Sequence, residues 1–82
     1  MGYDKVMNAG TRYVGLKRTI KAISDGLATE VFVAEDADHE LLRKVSDTAY
    51  EKQIPLVMVP SMKKLGKACG IEVNAAAVAI KK

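Results

Sequence analysis

Two clusters of cations hold most of the chemistry in this sequence. Lys17, Arg18 and Lys21 follow Gly15 and Leu16, and Lys63, Lys64 and Lys67 follow Ser61. Each stretch is free of acids: Arg12 to Lys21 carries four cations, and Ser61 to Ile71 carries three. Eight acids gather between Asp25 and Glu51, with only Arg43 and Lys44 among them. Should the two basic segments meet in space, the molecule gains a basic pole suited to phosphate-rich partners. Reaction chemistry is poorly supplied by comparison. An enzyme needs a nucleophile with a base, or paired carboxylates, near a pocket. The single histidine, His39, reads as solvated in the first turn of a helix. Asp36 and Asp38 read as capping residues, and the single cysteine, Cys69, as a small core residue. The reading is therefore of a protein that is not an enzyme and needs no metal or cofactor.

The elements that must position these cations follow from the apolar pattern. The chain has 82 residues, 49% hydrophobic and 28% charged, with a net charge of +3. That is room for one globular domain, here 1–82, with one modest core. One cysteine excludes a disulfide framework. No apolar run reaches the roughly 18 residues of a membrane span and no basic leader opens the chain, so the expectation is a cytoplasmic protein with no membrane contact; a monomer is expected as well.

Val31–Ala34, Leu56–Val59 and Ala75–Ile80 are short apolar runs without polar alternation, the pattern of strands covered on both faces. Arg12–Val14 is a weaker, edge strand. Leu16, Ile20 and Ile23 recur at helical spacing and Gly26 supplies a left-handed stop. Asp38 caps a helix with Leu41, Leu42, Val45 and Ala49 inward. Ser61 caps another, with Met62, Leu65, Ala68 and Cys69 inward and Gly70 closing it. A first helix spans Asp4 to Ala9. Strands and helices in alternation predict an α/β fold, a three-layer α/β/α sandwich on a mixed four-stranded sheet.

In such a fold strands deliver the chain to helix N-termini at one edge of the sheet, where ligands usually bind. Helix N-termini favour acids. The helices after Gly15 and after Ser61 begin instead with Lys17-Arg18 and Lys63-Lys64. An arriving anion would turn that penalty into attraction; lysine stems leaning into water would make it negligible. Both readings stand on the charges alone. Gly15 lies at a turn that asks for a positive φ or close backbone approach. Gly66, inside a helix, reads as close packing of that helix against the sheet.

The segments Gly15-Leu16-Lys17-Arg18-Thr19-Ile20-Lys21 and Leu65-Gly66-Lys67-Ala68-Cys69-Gly70-Ile71-Glu72-Val73 make a recognisable pair. With the Ala-rich last strand, they resemble the ribosomal protein L7Ae/L30e superfamily of kink-turn RNA-binding proteins, above all its small bacterial YbxF-type members. The resemblance covers nearly the whole chain. It implies an RNA-binding, ribonucleoprotein role: recognition of a sharply bent internal loop with sheared G·A pairs, in ribosomal RNA, a riboswitch or another structured RNA. It further implies an RNA-binding set of Gly15, Leu16, Lys17, Arg18 and Lys21 from the first junction and Ile71, Glu72 and Val73 from the loop; Lys63 and Lys64 of the second junction join that set on their charge alone. In a sheared G·A pair the guanine keeps O6 and N7 free, and Lys and Arg are their usual donors. The chain departs from archaeal members, which have Asn-Glu where it has Lys17-Arg18; Arg18 offers no acceptor. Ile71 and Val73 have two readings, as inward-facing residues opening the last strand or as an apolar shelf for an unstacked nucleotide. A module binding protein through the acidic pole or Tyr50, and a general basic RNA binder without kink selectivity, are the competing functions.

Overall fold

A computed structural model describes residues 2–81. The order is α1 (Gly2–Met7), β1 (Thr11–Val14), α2 (Leu16–Ser24), β2 (Glu30–Ala34), α3 (His39–Glu51), β3 (Leu56–Val59), α4 (Met62–Ala68) and β4 (Ala77–Lys81). The strands form one sheet in the order β1-β4-β2-β3. β4 runs antiparallel to both neighbours, with Val14 opposite Val78 and Phe32 opposite Val78, whereas β2 and β3 are parallel. The sheet is mixed, as expected. Its consequence is that β1, β2 and β3 end, and β4 begins, at one edge.

Strand alternation divides the core between two faces. Val31, Val33, Ala77 and Ala79 pack with Ala22 and Ile23 of α2 and Leu42, Val45 and Ala49 of α3. Phe32, Ala34, Val78 and Ile80 pack with Val6 of α1 and Leu65 and Cys69 of α4. These are the three layers. The unalternating runs of β2 and β4 are thus explained, since helices cover both their faces; β3 departs from the expectation, being an edge strand with Met58 exposed.

The helix ends obey local rules. The Asp38 carboxylate accepts from the Glu40 N–H at 2.8 Å, and the Ser61 hydroxyl from the Lys64 N–H at 3.2 Å. Gly26 and Gly70 take positive φ after α2 and α4. Arg12 closes α1 by donating to the carbonyls of Val6 and Met7, each at 3.4 Å.

Four further details differ from the pattern-based expectations. α1 begins at Gly2 rather than Asp4, and its helical bonding fades after Met7. Leu41 is 43% exposed because the buried stripe of α3 centres on Leu42, Val45 and Ala49. The last strand begins at Ala77, since the Ala75 N–H is drawn to the Met62 carbonyl of α4 at 3.0 Å. Asp36 does not cap α3; its carboxylate accepts from the Met62 N–H at 2.9 Å, at the start of α4.

Candidate RNA-binding edge

Gly15 makes the turn from β1 into α2. Its φ of 100° and ψ of 160° lie in a region essentially reserved for glycine. Its N–H donates to the Ala77 carbonyl at 2.9 Å. This bond joins the first basic junction to the residue where the 70–76 loop enters β4. No side chain caps α2, and its first turn has no acid. Lys17, Arg18 and Lys21 are all exposed along it. Leu16 is only partly buried and packs against the α2–α3 side of the core, so it serves the turn as much as the surface.

The second half of the edge is built by α4 and the loop after it. Gly66 is buried in α4, and a Cβ there would collide with the carbonyl oxygen of Val73, with the carbonyl carbon 3.1 Å away. The expectation that Gly66 meets the sheet is therefore corrected: it meets the loop. The contact is fastened on both sides, by Ile71 N–H to the Gly66 carbonyl at 3.1 Å and Ala75 N–H to the Met62 carbonyl at 3.0 Å. α4 is itself held at its start by Asp36 and by the Tyr3 hydroxyl, which accepts from the Ser61 N–H at 3.2 Å. The anion at this helix start is thus one of the protein's own carboxylates.

The fastened loop turns Val73 outward, 68% exposed, with Glu72 and Asn74 beside it. Ile71 is half-buried against the α1–α4 side of the core. Of the two readings of Ile71 and Val73, an inward strand start is excluded; both lie in the loop ahead of β4. A shallow groove is lined by Lys63, Lys67, Ile71, Glu72, Val73 and Asn74. Lys67 and Asn74 were absent from the expected set. Lys67 was within reach of sequence reasoning, being one helical turn after Lys63. Asn74 carries no signal of its own. Lys64 stands exposed but outside this groove, about 100° around the helix from Lys63.

Arg12, grouped with the first basic run by sequence, is spent on α1 at the opposite end of β1. The cations of the edge are uncommitted, since Lys5–Glu30, at 3.3 Å, is the one ion pair among the described residues. No cluster of His, Cys, Asp and Glu among the described residues could hold a metal ion, and no helix among them is long and apolar enough to cross a membrane. Burial pushes the Cys69 thiol up from its ordinary value, against a smaller opposing pull from Arg12.

A three-layer fold with a glycine turn, exposed cations and an apolar loop at one sheet edge defines a class of small α/β binding proteins. The sequence profile of the ribosomal protein L7Ae/L30e/S12e/Gadd45 family matches residues 2–82, and the chain belongs to that family. It is 56% identical over 80 residues to the RNA-binding protein YbxF of Geobacillus stearothermophilus, with 98% of each chain covered. It is 50% identical over 82 residues to the RNA-binding protein BH0128 of Halalkalibacterium halodurans, with 100% of each covered. Among solved structures, the Giardia lamblia 15.5kD RNA binding protein superposes with a TM-score of 0.86 at 26% identity. That match covers 98% of this chain and 68% of the other.

Proposed function

We propose that this protein binds RNA without catalysing a reaction, and that it selects sharply bent internal loops with sheared G·A pairs. One observation carries the reading. Two segments more than fifty residues apart in sequence, the Gly15 turn and the 71–74 loop, belong to a single sheet edge through the Gly15–Ala77 hydrogen bond. Family membership and the RNA-binding relatives support it.

Each part then has a task. Gly15 brings α2 close to the RNA backbone. Lys17, Arg18 and Lys21 donate to the exposed guanine O6 and N7 of the G·A pairs and to neighbouring phosphates. Lys63 and Lys64 contact phosphate, with Lys67 beside them. Ile71 and Val73 offer an apolar surface to an extruded nucleotide, and Glu72 flanks it. A straight duplex cannot meet both halves of the edge at once. The protein therefore binds the bent population and shifts the RNA toward it. Ribosomal RNA is the first target to try, then riboswitch and other structured RNA loops, with the protein acting as a cytoplasmic monomer.

Energy transfer between dyes on the two arms of a kink-turn RNA tests this. Added protein at low magnesium should bring the arms together. Replacing the G·A pairs by Watson–Crick pairs should abolish the change. Arms that stay apart while protein is bound would leave a general basic RNA binder.

A further inference from the structure

A second groove runs between α2 and the edge strand β1. Tyr13, Arg18, Lys21, Ala22, Asp25 and Leu27 line about 320 Å³, near the lower end of the roughly 300–1,000 Å³ of small-ligand sites. Tyr13 lies on the edge strand β1, half-buried and packed against the core below. Leu27 is an exposed apolar side chain after the end of α2. Arg18, Lys21 and Asp25 follow one another along α2, so the carboxylate lies toward its C-terminal end and Leu27.

We infer that this groove takes an unpaired nucleotide from the strand adjoining the kink, its base against Tyr13 and its phosphate on Arg18 and Lys21. The inference rests on the RNA reading above, because Arg18 and Lys21 belong to both surfaces and make the groove continuous with the edge. An aromatic floor bordered by cations is the chemistry that single-stranded nucleic acid uses: every base has a face to stack, and the backbone needs positive charge. The volume admits one nucleotide and no duplex. Asp25 fixes the polarity, repelling phosphate from the end near Leu27 and accepting a hydrogen bond from a ribose hydroxyl or an exocyclic amine. The paired stems lack such a nucleotide and the extruded one of the loop goes to Ile71 and Val73, so the groove reads a single-stranded extension of an arm.

Three RNAs test it: a blunt-ended kink-turn, and the same RNA with a short uridine tail on one arm or the other. A tail on one of the arms should tighten binding to the wild-type protein about tenfold, within the range of one base stacked on an aromatic ring. Tyr13→Phe should keep that gain. Tyr13→Leu, which retains apolar packing but loses the ring, should forfeit it and still bind the blunt RNA like wild type. The amides of Asp25 and Leu27 in the wild-type protein should shift only with the tailed RNA. The inference is overturned if neither tail changes affinity, if Tyr13→Leu keeps the gain, or if those amides do not respond. Shifts there that follow protein concentration without RNA would put a second copy of the chain in the groove and equally overturn it. Failure of the wild type to bind even the blunt RNA would overturn the kink-turn reading and this one with it.

Discussion

Gly66→Ala separates the positioning of the 71–74 loop from the stability of the fold. Alanine in a helix is favoured over glycine by about 1 kcal/mol, so an open site would gain from the change. Position 66 is not open: the new methyl would collide with the Val73 carbonyl, whose carbon lies 3.1 Å from the Cβ position. α4 is pinned to β2 and β4 by Leu65 and Cys69, so the loop is the part that yields. Its retreat strains or breaks the bonds from Ile71 to Gly66 and from Ala75 to Met62, each worth about 0.5–1.5 kcal/mol net. Set against the propensity gain, the loss of stability comes to about 0–2 kcal/mol. At the upper end this lowers the melting temperature by about 8–16 °C for a domain of this size. RNA binding should suffer differently. Val73 and Ile71 leave their places, so affinity for a kinked RNA should fall at least tenfold, while affinity for a straight duplex should hold. Thermal melting, titration against both RNAs and the amide spectrum of residues 71–76 read the three effects. A folded Gly66→Ala protein with displaced loop amides and undiminished preference for kinked RNA would refute the argument, because the loop would then have no part in selection.

Gly15→Ala presents the opposite case, since no atom lies within 4 Å of its Cβ position and the penalty is purely conformational. A cost of about 1–3 kcal/mol is expected in chemical denaturation. Lys21→Ala should cost about 1–3 kcal/mol in binding and blunt discrimination against loops without G·A pairs. Lys63→Ala should weaken all RNAs alike and lower the slope of log affinity against log salt by about 0.7–0.9; equal losses in both variants would remove base readout from the Gly15 junction. For Cys69 the folded thiol holds its proton above the ordinary value, so its contribution is complete at neutral pH and declines as pH rises past about 9. Stability should fall more steeply above that pH in the wild type than in Cys69→Ala, which should retain RNA affinity; parallel pH curves would contradict the burial of the thiol.

What could be read before the structure was the local part. β3 at Leu56–Val59 and the caps at Asp38 and Ser61 depend on rules spanning a few residues, and they appear where pattern and propensity put them. The cations of the candidate edge were legible for the same reason, as runs of charge beside helix starts. Contacts between distant segments were not. Asp36 looks like a cap for α3, yet its carboxylate serves α4, 26 residues onward. Gly66 signals close packing without naming what it packs against. Tyr13 and Leu27 are unremarkable in sequence and share a groove only because α2 lies across β1. Alanines at 75 and 76 satisfy a strand pattern, yet β4 starts later because the Ala75 N–H bonds to α4 and only the Ala76 carbonyl reaches β2.

The position of β4 bears on how the protein comes into being. The chain's last described strand lies between the first and second strands, hydrogen-bonded to both. Until residues 77–81 emerge from synthesis, β1 has no neighbour in the sheet, and β2 can pair only with β3. A nascent chain can therefore form the β2–α3–β3 unit early, through parallel pairing alone, while β1 waits unpaired. Joining β1 through β4 closes a loop of about 60 residues and is the late, slow step expected of non-local pairing. The Gly15–Ala77 bond belongs to that same step. A nascent chain still lacking residues 77–81 cannot make that bond, so the two halves of the candidate edge come together only once β4 is in place.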